Sequence, residues 1–361
     1  MIETINVFVD LYLITLPKPC NSLEDLESFI NGLLEWSSVL DKDDINFLIS
    51  QNWSDALCED GGYPYDHELR NLLQTYTSNG DEIADEDTVS RLVMSLLQRT
   101  PYLEEHIDIK DILFDDPTAV IDPEVFLNRL GPQSSNSLKT CLVMLGLWQQ
   151  HSSTTARLKG CIFATAQDAS IAKYQEITVQ ADVEEVESFC NPNPYIDALS
   201  TQVHESFCIC FGHADILQQV GCFKLWNAGK TEAGARDAID LRIQELIQQG
   251  SANPKQIAVY SLGPKFLTSA QQWGFQRSDL AMILIDSCAR ILAGIPSKTV
   301  KPFRKSDTSP DQRQRTSDQA LAWRNHLTKG GPGYRLMYWQ KTTGEIEFAN
   351  VGPKKELIIY E

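Results

Sequence analysis

The chain lacks any long apolar segment. Its sequence has no uninterrupted apolar run near the roughly 20 residues that a membrane-spanning helix needs. Residues 5–14 are partly apolar, but polar side chains interrupt them, and the basic start and small-residue cleavage site of a signal peptide are missing. We therefore expect a cytoplasmic protein that makes no contact with a membrane.

Paired cysteine motifs are also missing. The nine cysteines are odd in number and scattered. Several lie in apolar runs, where a reduced cysteine packs as a small hydrophobic side chain. This pattern argues against a disulfide framework, and the absence of a CxxC pair argues against a zinc knuckle. No motif predicts a bound cofactor, so we expect none.

Basic residues are scarce in the first part of the chain. Residues 1–150 contain 8 Lys and Arg against 27 Asp and Glu, a formal charge of −19. Residues 151–361 contain 23 against 22, and the segment from Arg290 onward contains 13 against 7. Contact with nucleic-acid phosphates needs positive charge. The asymmetry therefore argues against a nucleic-acid surface on the first part and allows one at the C-terminal end.

Hydrophobic spacing typical of helices fills most of the first part of the chain. Ser22 and Asp25 form a capping-box pattern before the strongest of these helices. Farther along, strands alternate with helices, with a strand predicted over residues 221–226 and a helix over 278–293. We predict an α+β fold with an acidic N-terminal α-helical domain over residues 1–150, a mixed α/β body over 151–294 and a basic flexible loop over 295–316.

Residues 317–361 are predicted to form a helix followed by a small antiparallel meander of three strands. The helix is predicted from the spacing of apolar residues after Ser317. Residues 334–340 and 345–351 are predicted strands whose side chains fall alternately on two faces, and residues 357–360 form the predicted last strand. A sheet this small buries too little apolar surface to be stable alone. We therefore expect it to pack on the body.

One predicted strand carries several side chains that bind metals in other proteins. His204, Cys208, Cys210 and His213 lie close together in the sequence, and alternate residues of a strand share one face. Cysteine and histidine are the common zinc ligands. The main prediction is that these cysteines face a core without a metal, and the alternative is a metal site formed by the four residues.

A histidine and a cysteine each lie at the end of an apolar run. His213 ends the run over residues 207–213, and Cys288 lies near the end of 280–290. This pattern resembles caspase-like cysteine proteases, in which one strand ends near the catalytic histidine and a later strand ends at the nucleophilic cysteine. The resemblance implies a dyad in which imidazole takes the thiol proton. The competing interpretation is one helix over residues 278–294 that buries Cys288.

The predicted meander carries basic residues on its strands. An Arg-bearing strand, a hairpin and a terminal strand follow one another, and this arrangement resembles the end of RelE/ParE-type toxins. The resemblance covers only the C-terminal strands of a chain much longer than those toxins. It implies contact with RNA through Arg324, His326, Arg335 and Lys354.

The charge distribution favours a non-catalytic interaction subunit of a cytoplasmic multi-protein complex, for example in bacterial defence or DNA processing. A protein partner is expected on the acidic N-terminal half. DNA, RNA or a second partner is expected on a basic and aromatic C-terminal surface, because phosphate contact and base stacking together suit single strands. The dyad of His213 and Cys288 leaves enzymatic activity open. The predicted contact residues are Arg304, Lys305, Arg313, Arg315, Arg324, His326, Arg335, Trp339, Lys354 and Lys355.

Overall fold

The computed structural model shows an α+β protein that separates into two compact units, Met1–Ile216 and Leu217–Glu361. Each unit contains helices and a sheet of its own. Among the described residues, no helix has the length and apolar character needed to cross a membrane. The structure describes the chain except residues 1–4, 18–19, 41–44, 65, 78–84, 130, 152–160, 165–168, 191–201, 229–231, 307–308 and 329–332.

Seven strands form the sheet of the first unit. They are β1 (Ile5–Val9), β2 (Ile45–Leu48), β3 (Asp111–Phe114), β4 (Val120–Asp122), β5 (Cys161–Phe163), β6 (Glu176–Glu187) and β7 (Gln202–Cys210). Their order is β2-β1-β5-β7-β6-β3, and β4 also pairs with β6. The first four strands in this order are parallel, and the pairs that include β6 are antiparallel. Val7, Phe8 and Val9 are all buried, as a central parallel strand requires.

Helices fill the connections between the parallel strands. Ser22 and Asp25 form the predicted capping box at the start of the first helix. Gly146 allows the helix over Pro132–His151 to approach β7 closely, because a Cβ added at Gly146 would lie 2.6 Å from Cγ1 of Val203. The helices are α1 (Leu23–Val39), α2 (Gln51–Glu59), α3 (Asp66–Thr77), α4 (Glu86–Arg99), α5 (Leu103–Ile107) and α6 (Pro132–His151).

Strand pairing crosses the domain boundary that the sequence predicts at residue 150. β1 pairs in parallel with β5, and Phe8 lies opposite Ile162. The helices over residues 51–151 are thus a long connection between β2 and β5 rather than a body separate from the sheet. The helical spacing is correctly predicted over most of this stretch, but β3 and β4 lie within it, and the strands before and after it join the same sheet.

The second unit combines helices with a five-stranded sheet in the order β8-β12-β11-β10-β9. β12 and β8 are parallel, and the other neighbours are antiparallel. A helix over His213–Val220, named α7, contains the boundary between the units. The other elements are α8 (Cys222–Ala228), α9 (Glu232–Gln248), β8 (Tyr260–Leu262), α10 (Phe266–Gln272), α11 (Ser278–Leu292), β9 (Val300–Pro302), β10 (Leu321–His326), β11 (Tyr334–Gln340) and β12 (Ile346–Pro353).

Aromatic side chains form the core between the inner face of this sheet and α10. The ring of Phe348 lies 5.9 Å from that of Phe266, which in turn lies 6.1 Å from the ring of Trp226. Trp226 Nε1 donates a hydrogen bond of 2.8 Å to the carbonyl of Phe275. The C-terminal sheet thus packs on upstream elements of its unit.

Several predicted elements of the second unit are confirmed and others are wrong. The helix over residues 278–293 and the strand over 334–340 are present as α11 and β11. The strand predicted over 221–226 is a helix, because its buried residues recur at helical spacing. The helix predicted after Ser317 is replaced by β10. Pairing with β9 and β11 offsets the local helical pattern there.

Backbone hydrogen bonds order the segment that the sequence predicts as a flexible loop over residues 295–316. Besides β9, the segment contains Phe303, whose N–H donates to the carbonyl of Ala322 at 2.8 Å. The carbonyl of Phe303 accepts from the N–H of Arg313, also at 2.8 Å. The basic residues of this segment therefore have defined positions beside β10. The predicted strand over 357–360 is an extended segment outside the sheet.

Candidate nucleic-acid interface

Basic side chains converge on the outer face of the C-terminal sheet. Arg324 of β10 lies opposite Lys301 of β9, and His326 lies opposite Arg335 of β11. Residues two apart on a strand share a face, as do residues directly opposite each other, so these four side chains lie on one face. Lys354 follows β12 at the same end of the sheet. We call these five residues the basic cluster.

The electrostatic environment of His326 shows how close these charges are. Partial burial lowers the pKa of His326, and Arg335, Lys301, Arg324 and Lys354 lower it further because each disfavours a second positive charge. Among the residues that the structure describes, Lys301, Arg324 and Lys354 form no ion pair with a carboxylate. The cluster is thus a site of positive potential, with a neutral imidazole inside it at neutral pH.

A pocket of about 170 Å³ adjoins the basic cluster. Arg324 belongs to both, and the buried Nε of its guanidinium has no hydrogen-bond partner. A buried N–H without an acceptor is unfavourable until a ligand or water supplies one. The described residues that line it are Phe303, Arg304, Lys305, Ser306, Arg324 and Leu357.

The C-terminal segment fixes the apolar wall of this pocket. Ile359 is buried in a small outer core that includes Trp339 and Phe303. Trp339 Nε1 donates to the carbonyl of Tyr360 at 2.7 Å, and Asn350 Nδ2 donates to the carbonyl of Ile358 at 3.1 Å. These contacts hold the segment against the sheet, and Leu357 is left about half exposed at the mouth of the pocket.

Arg315 and Trp339, two of the predicted contact residues, are buried. Arg315 donates to Glu347 at 2.9 Å and to Asp318 at 2.7 Å, and its guanidinium lies 5.2 Å from the ring centre of Trp339. The hydrogen bond from Arg315 lowers the pKa of Asp318 to about 2. This ion pair connects the segment before β10 to β12, so neither Arg315 nor Trp339 lies on the outer surface of the unit.

Arg335 is also buried, and the other predicted contact residues lie in or near the basic face. Arg304 and Lys305 are exposed and line the pocket, although Lys305 also lies 3.7 Å from the carboxylate of Asp311. Lys354 and Lys355 are exposed, and Arg313 is half-buried. Sequence reasoning missed Lys301, because only the register between β9 and β10 places it beside Arg324.

Cys288, the cysteine of the caspase-like alternative, is not accessible to a substrate. Cys288 lies in α11 instead of at a strand end, and its side chain is fully buried. Burial raises the pKa of the thiol well above its usual value, so the thiol stays protonated. His213 begins α7 in the other unit, where its backbone N–H donates a hydrogen bond to the carboxylate of Glu35. The resemblance to caspase-like proteases is therefore not supported at the residues that carried it.

The alternative metal site is also not formed. Within the described part of the chain, no group of three or more His, Cys, Asp or Glu side chains is arranged to hold a metal ion. His204, Cys208 and Cys210 do share one face of β7. A strand rises about 3.3 Å per residue, so the first and last of them are separated by roughly 20 Å, which is too far for one ion.

Comparison with known proteins identifies no relatives for this chain. No protein-family model, curated protein or solved structure matches it.

Proposed function

We propose that this protein is a non-catalytic interaction subunit whose C-terminal unit binds nucleic acid. The observation that carries this proposal is the convergence of Lys301, Arg324, His326 and Arg335 on one face of the sheet, with Lys354 close to them. Among the described residues, Lys301, Arg324 and Lys354 form no ion pair with a carboxylate, so they favour an anionic ligand, and a row of phosphates supplies several negative charges at once. The pocket beside the cluster adds apolar contact.

The charge of each unit supports the same conclusion. Residues 1–216 contain 11 Lys and Arg against 36 Asp and Glu, a formal charge of −25, whereas residues 217–361 contain 20 against 13, a formal charge of +7. The net charge of −18 for the whole chain therefore hides a positive unit. Phosphate contact is expected on this unit and not on the first.

The acidic unit is proposed to bind a protein partner. Leu113 of β3 and Val120 of β4 are each more than half exposed, and both strands pair with β6. Exposed apolar side chains among acidic residues suit a partner with a basic, partly apolar surface. Leu113→Asp should remove that partner from the native complex, whereas Leu321→Asp in the other unit should not. Equal loss in both variants would contradict this part of the proposal.

Fluorescence anisotropy of the full-length chain with labelled DNA and RNA strands of one sequence tests the nucleic-acid proposal. We expect binding that weakens as KCl is raised, because each phosphate contact releases counterions. Lys301→Ala/Lys354→Ala should reduce the salt slope by about 1.4, since each contact to a single strand contributes about 0.7. Lys255→Ala/Lys265→Ala removes the same charge elsewhere in the unit and should leave the slope unchanged.

Two outcomes would overturn the nucleic-acid proposal. One is the absence of salt-dependent binding by the wild-type chain. The other is an equal loss of slope in the cluster variant and in the control variant, which would show that only the total charge matters. A preference for RNA over DNA would favour the RelE/ParE-type alternative, whose implied residues Arg324, His326, Arg335 and Lys354 all lie in the basic cluster.

A further inference from the structure

We propose that the pocket beside the basic cluster takes one unstacked nucleobase, so that the C-terminal unit selects single-stranded over double-stranded nucleic acid. This inference rests on the proposed function and specifies its ligand. It is carried by the combination of an apolar wall, a planar cation and an unpartnered donor in one pocket next to phosphate-binding charges.

The size of the pocket fits a planar ring better than a phosphate. Its volume of about 170 Å³ is several times the space that a single water molecule needs. A phosphate group would leave most of that space empty, and a phosphate would gain nothing from the apolar part of the lining. A heterocyclic base fills such a space with both its ring faces and its polar edge.

The chemistry of the lining also matches a base. Phe303 and Leu357 supply apolar surface, and the guanidinium plane of Arg324 can stack on a ring face while its charge favours the π-system. The buried Nε–H of Arg324 lacks an acceptor, and ring nitrogens and carbonyl oxygens of bases are acceptors. Each feature alone is common, but together they describe a site for a polar aromatic ring.

The neighbouring cations then position the nucleic-acid strand that carries the base. Arg304 and Lys305 are exposed at the pocket, and Lys301 and Lys354 are exposed in the basic cluster. Phosphates on either side of an inserted base can contact these charges. A base in a duplex is paired and stacked, and its extrusion costs a few kcal/mol. Single strands avoid this cost, and therefore bind more tightly.

The test compares three labelled ligands in the anisotropy assay: a mixed-sequence single strand, its blunt duplex, and a strand with the same phosphates but abasic sugars. Stacking of one base on a side chain is worth roughly five- to one-hundred-fold in affinity. We expect the wild-type chain to prefer the base-containing strand over both other ligands by a factor in this range, with similar salt slopes for the two single strands.

Two variants separate base contact from phosphate contact. Arg324→Lys keeps the charge but removes the guanidinium plane and its Nε–H, so the preference should fall toward equality while the salt slope stays the same. Leu357→Ala removes the apolar wall at a half-exposed position and should have the same effect without a change in thermal unfolding. Leu321→Ala, at an exposed apolar side chain that does not line the pocket, is the control and should keep the preference.

The outcomes for this inference and for the proposed function are distinguishable. Salt-dependent binding with equal affinity for the base-containing and abasic strands would overturn the inference and leave the nucleic-acid proposal in place. A preference that survives both Arg324→Lys and Leu357→Ala would also overturn it, because the base would then bind elsewhere. Absence of salt-dependent binding to every ligand would overturn both.

Discussion

Arg315 distinguishes a basic residue that stabilises the C-terminal unit from one that contacts a ligand. Its guanidinium donates four hydrogen bonds, two to Asp318 at 2.9 and 2.7 Å and two to Glu347 at 2.9 and 3.0 Å. It also lies over the ring of Trp339. We predict that Arg315→Met weakens the folding of this unit and has little direct effect on nucleic-acid affinity.

The expected size of the effect follows from the burial of the partners. Removal of one member of a buried ion pair destabilises a protein by about 3–5 kcal/mol, because the other charge is left unpaired. Asp318 is 30% exposed, so water can solvate it again after the substitution. We therefore expect a loss of about 2–4 kcal/mol for Arg315→Met, which shifts a urea midpoint by about 1–2 M.

Hydrogen-exchange mass spectrometry in urea measures this loss, because peptides from β11 and β12 report the second unit separately from the first. Arg304→Met is the matched control. Arg304 is exposed at the pocket, so its substitution should change stability by no more than about 0.5 kcal/mol but weaken nucleic-acid binding. Unchanged exchange in Arg315→Met together with weaker binding would refute the buried placement of Arg315.

Three further predictions concern pH and the other unit. The hydrogen bond from Arg315 lowers the pKa of Asp318 to about 2, below the unfolded-state value of about 3.9. The ionised Asp318 therefore stabilises the folded unit above pH 3.9, and this stabilisation is lost as the pH falls toward 2. Asp318→Asn should remove that part of an acid-unfolding curve followed by circular dichroism. Bound phosphates should raise the lowered pKa of His326, so binding tightens as the pH falls below neutral, as an NMR titration with and without oligonucleotide would show. In the first unit, Asp10 and Arg129 form an ion pair of 2.6 Å between side chains that are 3% and 2% exposed. Asp10→Ala should therefore destabilise that unit by about 3–5 kcal/mol in urea unfolding, and an unchanged midpoint would contradict this.

Local patterns predict those elements whose burial is decided by neighbours along the chain. The alternation over residues 334–340 corresponds to β11, and the apolar spacing over 278–293, ended by Gly294, corresponds to α11. Gly294 has a φ of 71°, which is the left-handed conformation that favours glycine after a helix. In α11 the periodicity of the side chains coincides with one buried face, whereas β11 is buried on both faces from Arg335 to Trp339.

Elements that depend on distant pairing are not predictable in this way. Apolar residues after Ser317 have helical spacing, yet β10 forms because β9 and β11 supply hydrogen bonds on both of its edges. The same register places Lys301 beside Arg324. Composition predicts a basic C-terminal surface, but it does not distinguish Arg315, whose charge is used inside the fold, from Arg304, whose charge is exposed.

The sign of the local potential, and not the net charge of the chain, decides where a polyanion can bind. A chain with a formal charge of −18 would be expected to repel nucleic acid. At physiological ionic strength, however, charges separated by more than about 8 Å in solvent are largely screened. Phosphates in contact with Lys301, Arg324 and Lys354 would respond mainly to those charges. At low salt, the repulsion between nucleic acid and the unit with a formal charge of −25 grows together with the attraction to the basic cluster. The affinity of the full chain should therefore depend less steeply on salt than the number of phosphate contacts alone implies.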